Sequence, residues 1–214
     1  MTDYDSDEEK SQMEKLQYAD VKPGMFVSGW DDENDLIEED KDPQASLERL
    51  ILWSVNEGQI DKVREILELN PETVNAVDED GYTPLHRACY NNFVDIAKLL
   101  LQYNANLNAQ TELKWTPLHS ACKWSNAECA ALLLQHGADV NAKSDGLQTP
   151  LHVAATVSNC RNTAMTLLLD RNIDAQARNN SDETAAVIAR RTGMTYPVFE
   201  IGLPAFQVET GLID

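Results

Sequence analysis

The chain is predicted to fold as an all-α solenoid of helix–turn–helix–loop units of about 33 residues, and three observations carry that expectation. The hexapeptides TPLHRA, TPLHSA and TPLHVA begin at Thr83, Thr116 and Thr149, two successive intervals of 33 residues. Segments closing on Asn-Ala keep the same step: ELNPETVNA ends at Ala76, YNANLNA at Ala109 and HGADVNA at Ala142, each seven residues before the next threonine. Between these markers lie VDIAKLLLQ (94–102) and AECAALLLQ (127–135), whose Leu and Ala recur at i, i+3 and i+4, as one apolar face of a helix requires.

Taken in order, residues 1–45 form a compositional unit of their own. They hold 15 Asp or Glu against 4 Lys, a net charge of −11 out of −19 for all 214 residues. Such a leader is expected to be largely disordered. It nevertheless interleaves Met25, Phe26, Val27, Trp30, Leu36 and Ile37 with acid, so two readings stand side by side: a segment that orders on a partner, or one that folds back over the first repeat. Repeat one, 46–82, has the two-helix pattern LERLILWSVNEGQIDKVREILEL without the Thr-Pro-Leu-His marker. Trp53 sits in its apolar stripe as a core residue. Full repeats follow at 83–115, 116–148 and 149–183, the last about two residues longer around SNCRN (158–162). The unit 184–203 keeps Thr184 and Ala189 but has Ala185 and Val187 where Pro and His belong, and 204–214 is a tail. Atypical first and last units are expected of a solenoid, because one side of each meets water.

With these motifs in place, the chain over roughly residues 46–203 resembles the ankyrin-repeat family. The resemblance implies a non-catalytic protein-interaction module, with each marker histidine hydrogen-bonded between adjacent repeats. It also implies a nuclear protein with a positive influence on transcription. The alternative is a cytosolic assembly or quality-control adaptor holding a client protein on the same face.

Chemistry is disfavoured by the pattern itself. His119 and Cys122, three positions apart in TPLHSACKW, suggest a nucleophile–base couple. His86 and His152 occupy the same phase of neighbouring repeats, however, and Cys89 the phase of Cys122, so both residue types read as structural. Pro84, Pro117 and Pro150 suit the first helical position, and the preceding threonines suit the N-cap. The four cysteines lack zinc spacings and read as reduced thiols. Phosphate loops and nucleophile elbows are missing from the sequence. No catalytic residue, metal or cofactor is therefore expected. The Arg190–Arg191 pair reads as a solvated helix end. A charge of −19 opposes direct nucleic-acid binding, no apolar stretch is long enough to span a membrane, and the amino-terminal composition is not that of a signal or transit peptide. The expectation is a monomer of the nucleus or cytoplasm.

Function should then sit on the concave face of the stack, formed by loop tips and first helices. The family's variable phases fall on Glu79, Asp80, Tyr82, Tyr90, Asn91, Glu112, Leu113, Trp115, Lys123, Trp124, Asp145 and Gln148. Two tryptophans and two tyrosines in these phases are anchors of the kind interfaces use. The acids Glu79, Asp80, Glu112 and Asp145 imply a protein partner with a basic rim.

Overall fold

The computed structural model describes residues 46–192 and 196–200, which contain helices, turns and loops and no β-strand. The all-α repeat fold expected from the 33-residue period is the one found. The leader 1–45, the junction 193–195 and residues 201–214, with the readings attached to them, lie outside the described residues.

Each unit contributes two helices. Repeat one holds α1 (Leu47–Asn56), α2 (Ile60–Leu69) and a 3-10 turn, Pro71–Asn75. The next three hold α3 (Pro84–Tyr90) with α4 (Val94–Gln102), α5 (Pro117–Lys123) with α6 (Ala127–Gln135), and α7 (Pro150–Ala155) with α8 (Arg161–Leu168). The last has α9 (Ala185–Thr192) and α10 (Tyr196–Glu200).

Helix starts follow from local chemistry. Thr83, Thr116 and Thr149 sit at the N-caps in extended backbone, φ −91°, −98° and −84°, and Pro occupies the first turn of α3, α5 and α7, where its missing N–H costs no hydrogen bond. The first helices α3, α5 and α7 stop after six or seven residues, and α1 after ten, because the chain must then reverse. Gly58, Asn92 and Ser125 take that turn in the left-handed region, with φ of 69°, 57° and 58°.

Two rows result. In one, α3 packs between α1 and α5, α5 between α3 and α7, and α7 against α9; in the other, α2, α4, α6, α8 and α10 follow one another. Leu85, Leu118 and Leu151 repeat in one row and Leu100, Leu133 and Leu167 in the other, all fully buried. Each such leucine contributes about 1.5–3 kcal/mol by leaving water. Ala88, Ala121 and Ala154, also fully buried, are small enough to let neighbouring first helices approach.

Loops tie the rows together. The finger of each repeat closes on itself, from Asp78 N–H to the Tyr82 carbonyl, Thr111 to Trp115, Ser144 to Gln148 and Asn179 to Glu183. It then joins the next finger through Glu112 N–H to Asp80 O (3.0 Å), Asp145 N–H to Leu113 O (3.1 Å) and Asn180 N–H to Gly146 O (3.1 Å). Between second helices and fingers, carboxamides bridge in the same rhythm. Asn75, Asn108 and Asn141 Oδ1 accept from the N–H groups of Asn106, Asp139 and Asp174 at 2.8, 3.0 and 2.8 Å. Among the described residues no helix is long and apolar enough to cross a membrane.

The finger–finger contact is tight at one glycine. Gly81 has φ +82°, and a Cβ placed there would lie 3.1 Å from Thr111 Cα, a backbone atom that has no side-chain freedom to move aside. Gly81→Ala is expected to lower unfolding free energy by at least about 1–2 kcal/mol, readable as a lower denaturant midpoint with unchanged slope.

Candidate functional site

The histidines occupy the joints of the stack. Nδ1 of His86, His119 and His152 accepts the backbone N–H of Thr83, Thr116 and Thr149 at 3.1, 3.1 and 3.2 Å, and the same threonine hydroxyls lie 2.9, 2.9 and 2.8 Å away. With Nδ1 accepting, the ring proton sits on Nε2, which donates across the repeat boundary. The acceptors are the carbonyls of Trp115 (3.0 Å), Gln148 (3.0 Å) and Glu183 (3.1 Å). Both nitrogens are thus committed, leaving no lone pair to take a proton from Cys122. Burial lowers the pKa of His86 and of His119 to about 4 and also lowers that of His152, so the rings are neutral near pH 7.

Cys89, Cys122, Cys129 and Cys160 are all buried free thiols. Burial raises the pKa of Cys122, and a hydrogen bond with Cys129, together with burial, raises that of Cys89. An enclosed, protonated thiol is a poor nucleophile. Among the described residues no three His, Cys, Asp or Glu side chains gather as a metal site.

The variable phases divide into two groups. Tyr90 on α3 and Trp124 at the end of α5 meet edge to face, with ring centroids 4.7 Å apart, across a repeat boundary. Trp124 is 42% exposed, and Leu113, at the tip of its finger, is 63% exposed. Asn126, two residues beyond Trp124, donates its carboxamide to the Cys89 and Tyr90 carbonyls at 2.8 and 2.7 Å and so ties together the two repeats that supply the pair. Tyr82 and Trp115 are half-buried instead. Tyr82 stands edge-on to His86 at 5.6 Å, Trp115 tilts over His119 at 5.9 Å, and Trp115 also packs on the core. Glu79, Asp80, Glu112 and Asp145 are exposed, while Asn91, Lys123 and Gln148 are half-buried. Asn91 Nδ2 donates to the Arg87 carbonyl, and the Gln148 carbonyl receives the His119 Nε2 proton.

Three further residues matter here that the phase comparison passed over. Asp78 bridges the first finger: Oδ1 accepts from Tyr82 and Asp80 N–H, and Oδ2 pairs with the buried Arg87 guanidinium, which also lies 4.9 Å from the Tyr82 ring centroid. Lys114 reaches Asp145 at 2.8 Å, and that contact raises the lysine's pKa. One acid of the expected rim is therefore paired. Leu147 is 42% exposed and holds φ +51° in the phase of Gly81 and Lys114. A left-handed, solvent-facing leucine satisfies neither backbone preference nor burial. The signal was legible as a leucine in LQTPLH where DEDGYTPLH has glycine.

A repeat stack whose histidines and cysteines are absorbed into its joints, and whose aromatic side chains line fingers and first helices, defines a protein-interaction scaffold. The chain belongs to the ankyrin-repeat family: the model for ankyrin repeats (3 copies) matches residues 50–144, and a relative matched over its full length carries ankyrin repeats in its name. It is 72% identical over 215 residues, covering all of both chains, to ankyrin repeat domain-containing protein 49 of Drosophila melanogaster. Against the proteins of that name from Homo sapiens and Mus musculus it is 51% and 54% identical over 162 residues, 76% of this chain and 66% of each relative.

Two outcomes follow from this geometry. The folded pKa values of His86 and His119 lie below the ordinary value of 6.5, so the unfolded chain binds more protons between pH 6.5 and about 4. Their contribution is complete above pH 6.5 and declines as pH falls through that window, by up to about 1.4 kcal/mol per pH unit for each ring. Chemical denaturation from pH 7 to 4.5 checks it, and His119→Gln should flatten the slope. Leu147→Gly should raise stability by roughly 1 kcal/mol, because it removes a left-handed side chain that buries little, and a rise in thermal midpoint checks it.

Proposed function

We propose that this chain is a non-catalytic scaffold that captures a protein partner on its fingers and first helices, with the Tyr90–Trp124 pair as anchor. The carrying observation is that pair: two aromatic rings from successive repeats, 4.7 Å apart, with Trp124 left 42% exposed beside a stack whose other large apolar groups are mostly buried. Aromatic anchors of this type dominate interface energies, and stacking of repeats has no need of them. Leu113 and Leu147, exposed on successive fingers, extend the apolar surface. Glu79, Asp80 and Glu112 supply acidity around it, which favours a partner with a basic rim and an association that slows as salt rises. The same negative charge works against direct nucleic-acid binding.

Nuclear residence and a positive influence on transcription are the cellular reading carried over from the family resemblance. A cytosolic adaptor using the same face is the second reading, and imaging of the tagged full chain separates the two.

Affinity capture with single variants tests the site. Trp124→Ala should weaken partner binding by about 2 kcal/mol, roughly thirtyfold, while moving stability by less than about 1 kcal/mol. Trp115→Ala should instead destabilise the fold by about 2 kcal/mol or more, since its ring packs on the core and on His119. Binding that survives Trp124→Ala unchanged would remove the anchor assignment.

A further inference from the structure

Two cysteines meet in this chain at positions where the fold does not ask for a thiol. Cys89 shares its phase with Cys122 and Ala155, and Cys129 shares its phase with Ile96 and Asn162, so neither position requires sulfur to build a repeat. Their side chains nevertheless face each other across the joint between repeats two and three. There α6 begins beside the last turn of α3: Asn126 Nδ2 donates to the Cys89 and Tyr90 carbonyls at 2.8 and 2.7 Å, and Cys129 Sγ–H donates to the Ala88 carbonyl at 3.9 Å. Cys89 Sγ–H in turn donates to Cys129 Sγ. Both residues are fully enclosed, and both are free thiols. The hydrogen bond from Cys89 lowers the pKa of Cys129 against the opposing effect of burial, whereas burial drives the Cys122 thiol up. The thiolate that forms first therefore sits at Cys129, with a second thiol already in contact.

We propose that Cys89 and Cys129 are an oxidisable dithiol, a modification site for a hydroperoxide, whose disulfide staples repeat two to repeat three. The Cys129 thiolate attacks one peroxide oxygen: an S–O bond forms, the O–O bond breaks, and the departing hydroxide takes up a proton to leave as water. Cys89 then attacks the sulfur of the Cys129 sulfenic acid while its own proton passes to the leaving oxygen, so that the S–S bond forms, the S–O bond breaks and a second water departs. Two thiols are oxidised to one disulfide, and one hydrogen peroxide is reduced to two waters. The new bond needs about 2.05 Å between sulfurs that already face each other. Because both are enclosed, the peroxide enters when the joint opens locally, and oxidation is slower than at an exposed thiol of the same acidity. Closing the loop from 89 to 129 removes freedom from the unfolded chain. The staple fixes the joint from which Tyr90 and Trp124 project, and it stands whether or not a partner binds there.

Hydrogen peroxide treatment of the folded, reduced full chain, followed by alkylation in denaturant and peptide mapping, tests it. The expected product is a monomer lighter by two hydrogens that yields a Cys89–Cys129 cross-linked peptide, with Cys122 and Cys160 still alkylated. Its denaturant midpoint should exceed that of the reduced chain, and a dithiol reductant should reverse the shift. In Cys89→Ala the Cys129 sulfenic acid should accumulate and be trapped by dimedone, while Cys129→Ala should leave Cys89 reduced. Should either variant unfold, the cross-link map of the wild type still decides. A bond from Cys122 to Cys89 or to Cys160 in place of this one would overturn the assignment. So would four thiols that stay reduced in the folded chain under peroxide that fully oxidises the urea-unfolded chain, or a Cys89–Cys129 bond that forms only after unfolding.

Discussion

Each marker histidine joins two structures at once, and the stack depends on that double use. Nδ1 takes the N–H of the threonine that starts the ring's own helix, and Nε2–H reaches the carbonyl that ends the next finger, 29 to 31 residues on. One ring thereby couples where a helix begins to where the following repeat sits. The arrangement works only for a neutral imidazole with its proton on Nε2, and burial enforces that state by disfavouring the charged form. A threonine without the ring would still cap a helix. It would not hold the register between repeats, which the finger bonds and the asparagine bridges then extend along both edges.

Periodic demands leave some positions unconstrained, and those are where the chain departs from its own pattern. Leucine at the core phase and alanine at the seam recur because two rows of helices cannot close without them. The fingertip phase, by contrast, holds Gly81, Lys114, Leu147 and Asp182, all at positive φ. Three of the four hold a side chain on a backbone that suits glycine best, so backbone preference does not dictate which residue stands there. Arg87 and Asp78 show the reverse case, a charged pair at positions that differ from repeat to repeat, drawn into the structure of the first finger.

Charge is graded along the stack. The leader holds −11 and repeat one −6, so residues 83–214 together carry only −2. Acidity is concentrated at the amino end of the sequence, while the Tyr90–Trp124 pair joins the two repeats that follow the first.

The repeat count, the helix-start chemistry and the structural role of the histidines were legible in the sequence, because each follows from a residue type recurring at one interval. Thr-Pro-Leu-His states an N-cap, a first-turn proline, a core leucine and a joint in four letters. Recurrence also marks His119 and Cys122 as structural, since His86, His152 and Cys89 stand at the same phases of neighbouring repeats. Exposure was not legible. Trp115 and Trp124 look alike in the sequence, but one lies over His119 in its own repeat and packs on the core while the other projects beside Tyr90 of the preceding repeat, and only the packing separates the two cases. The same limit applies to Arg87, drawn onto Asp78, and to Asp145, held by Lys114. Local spacing determines which elements form and how they repeat; only packing between repeats decides which of their side chains remain available to a partner.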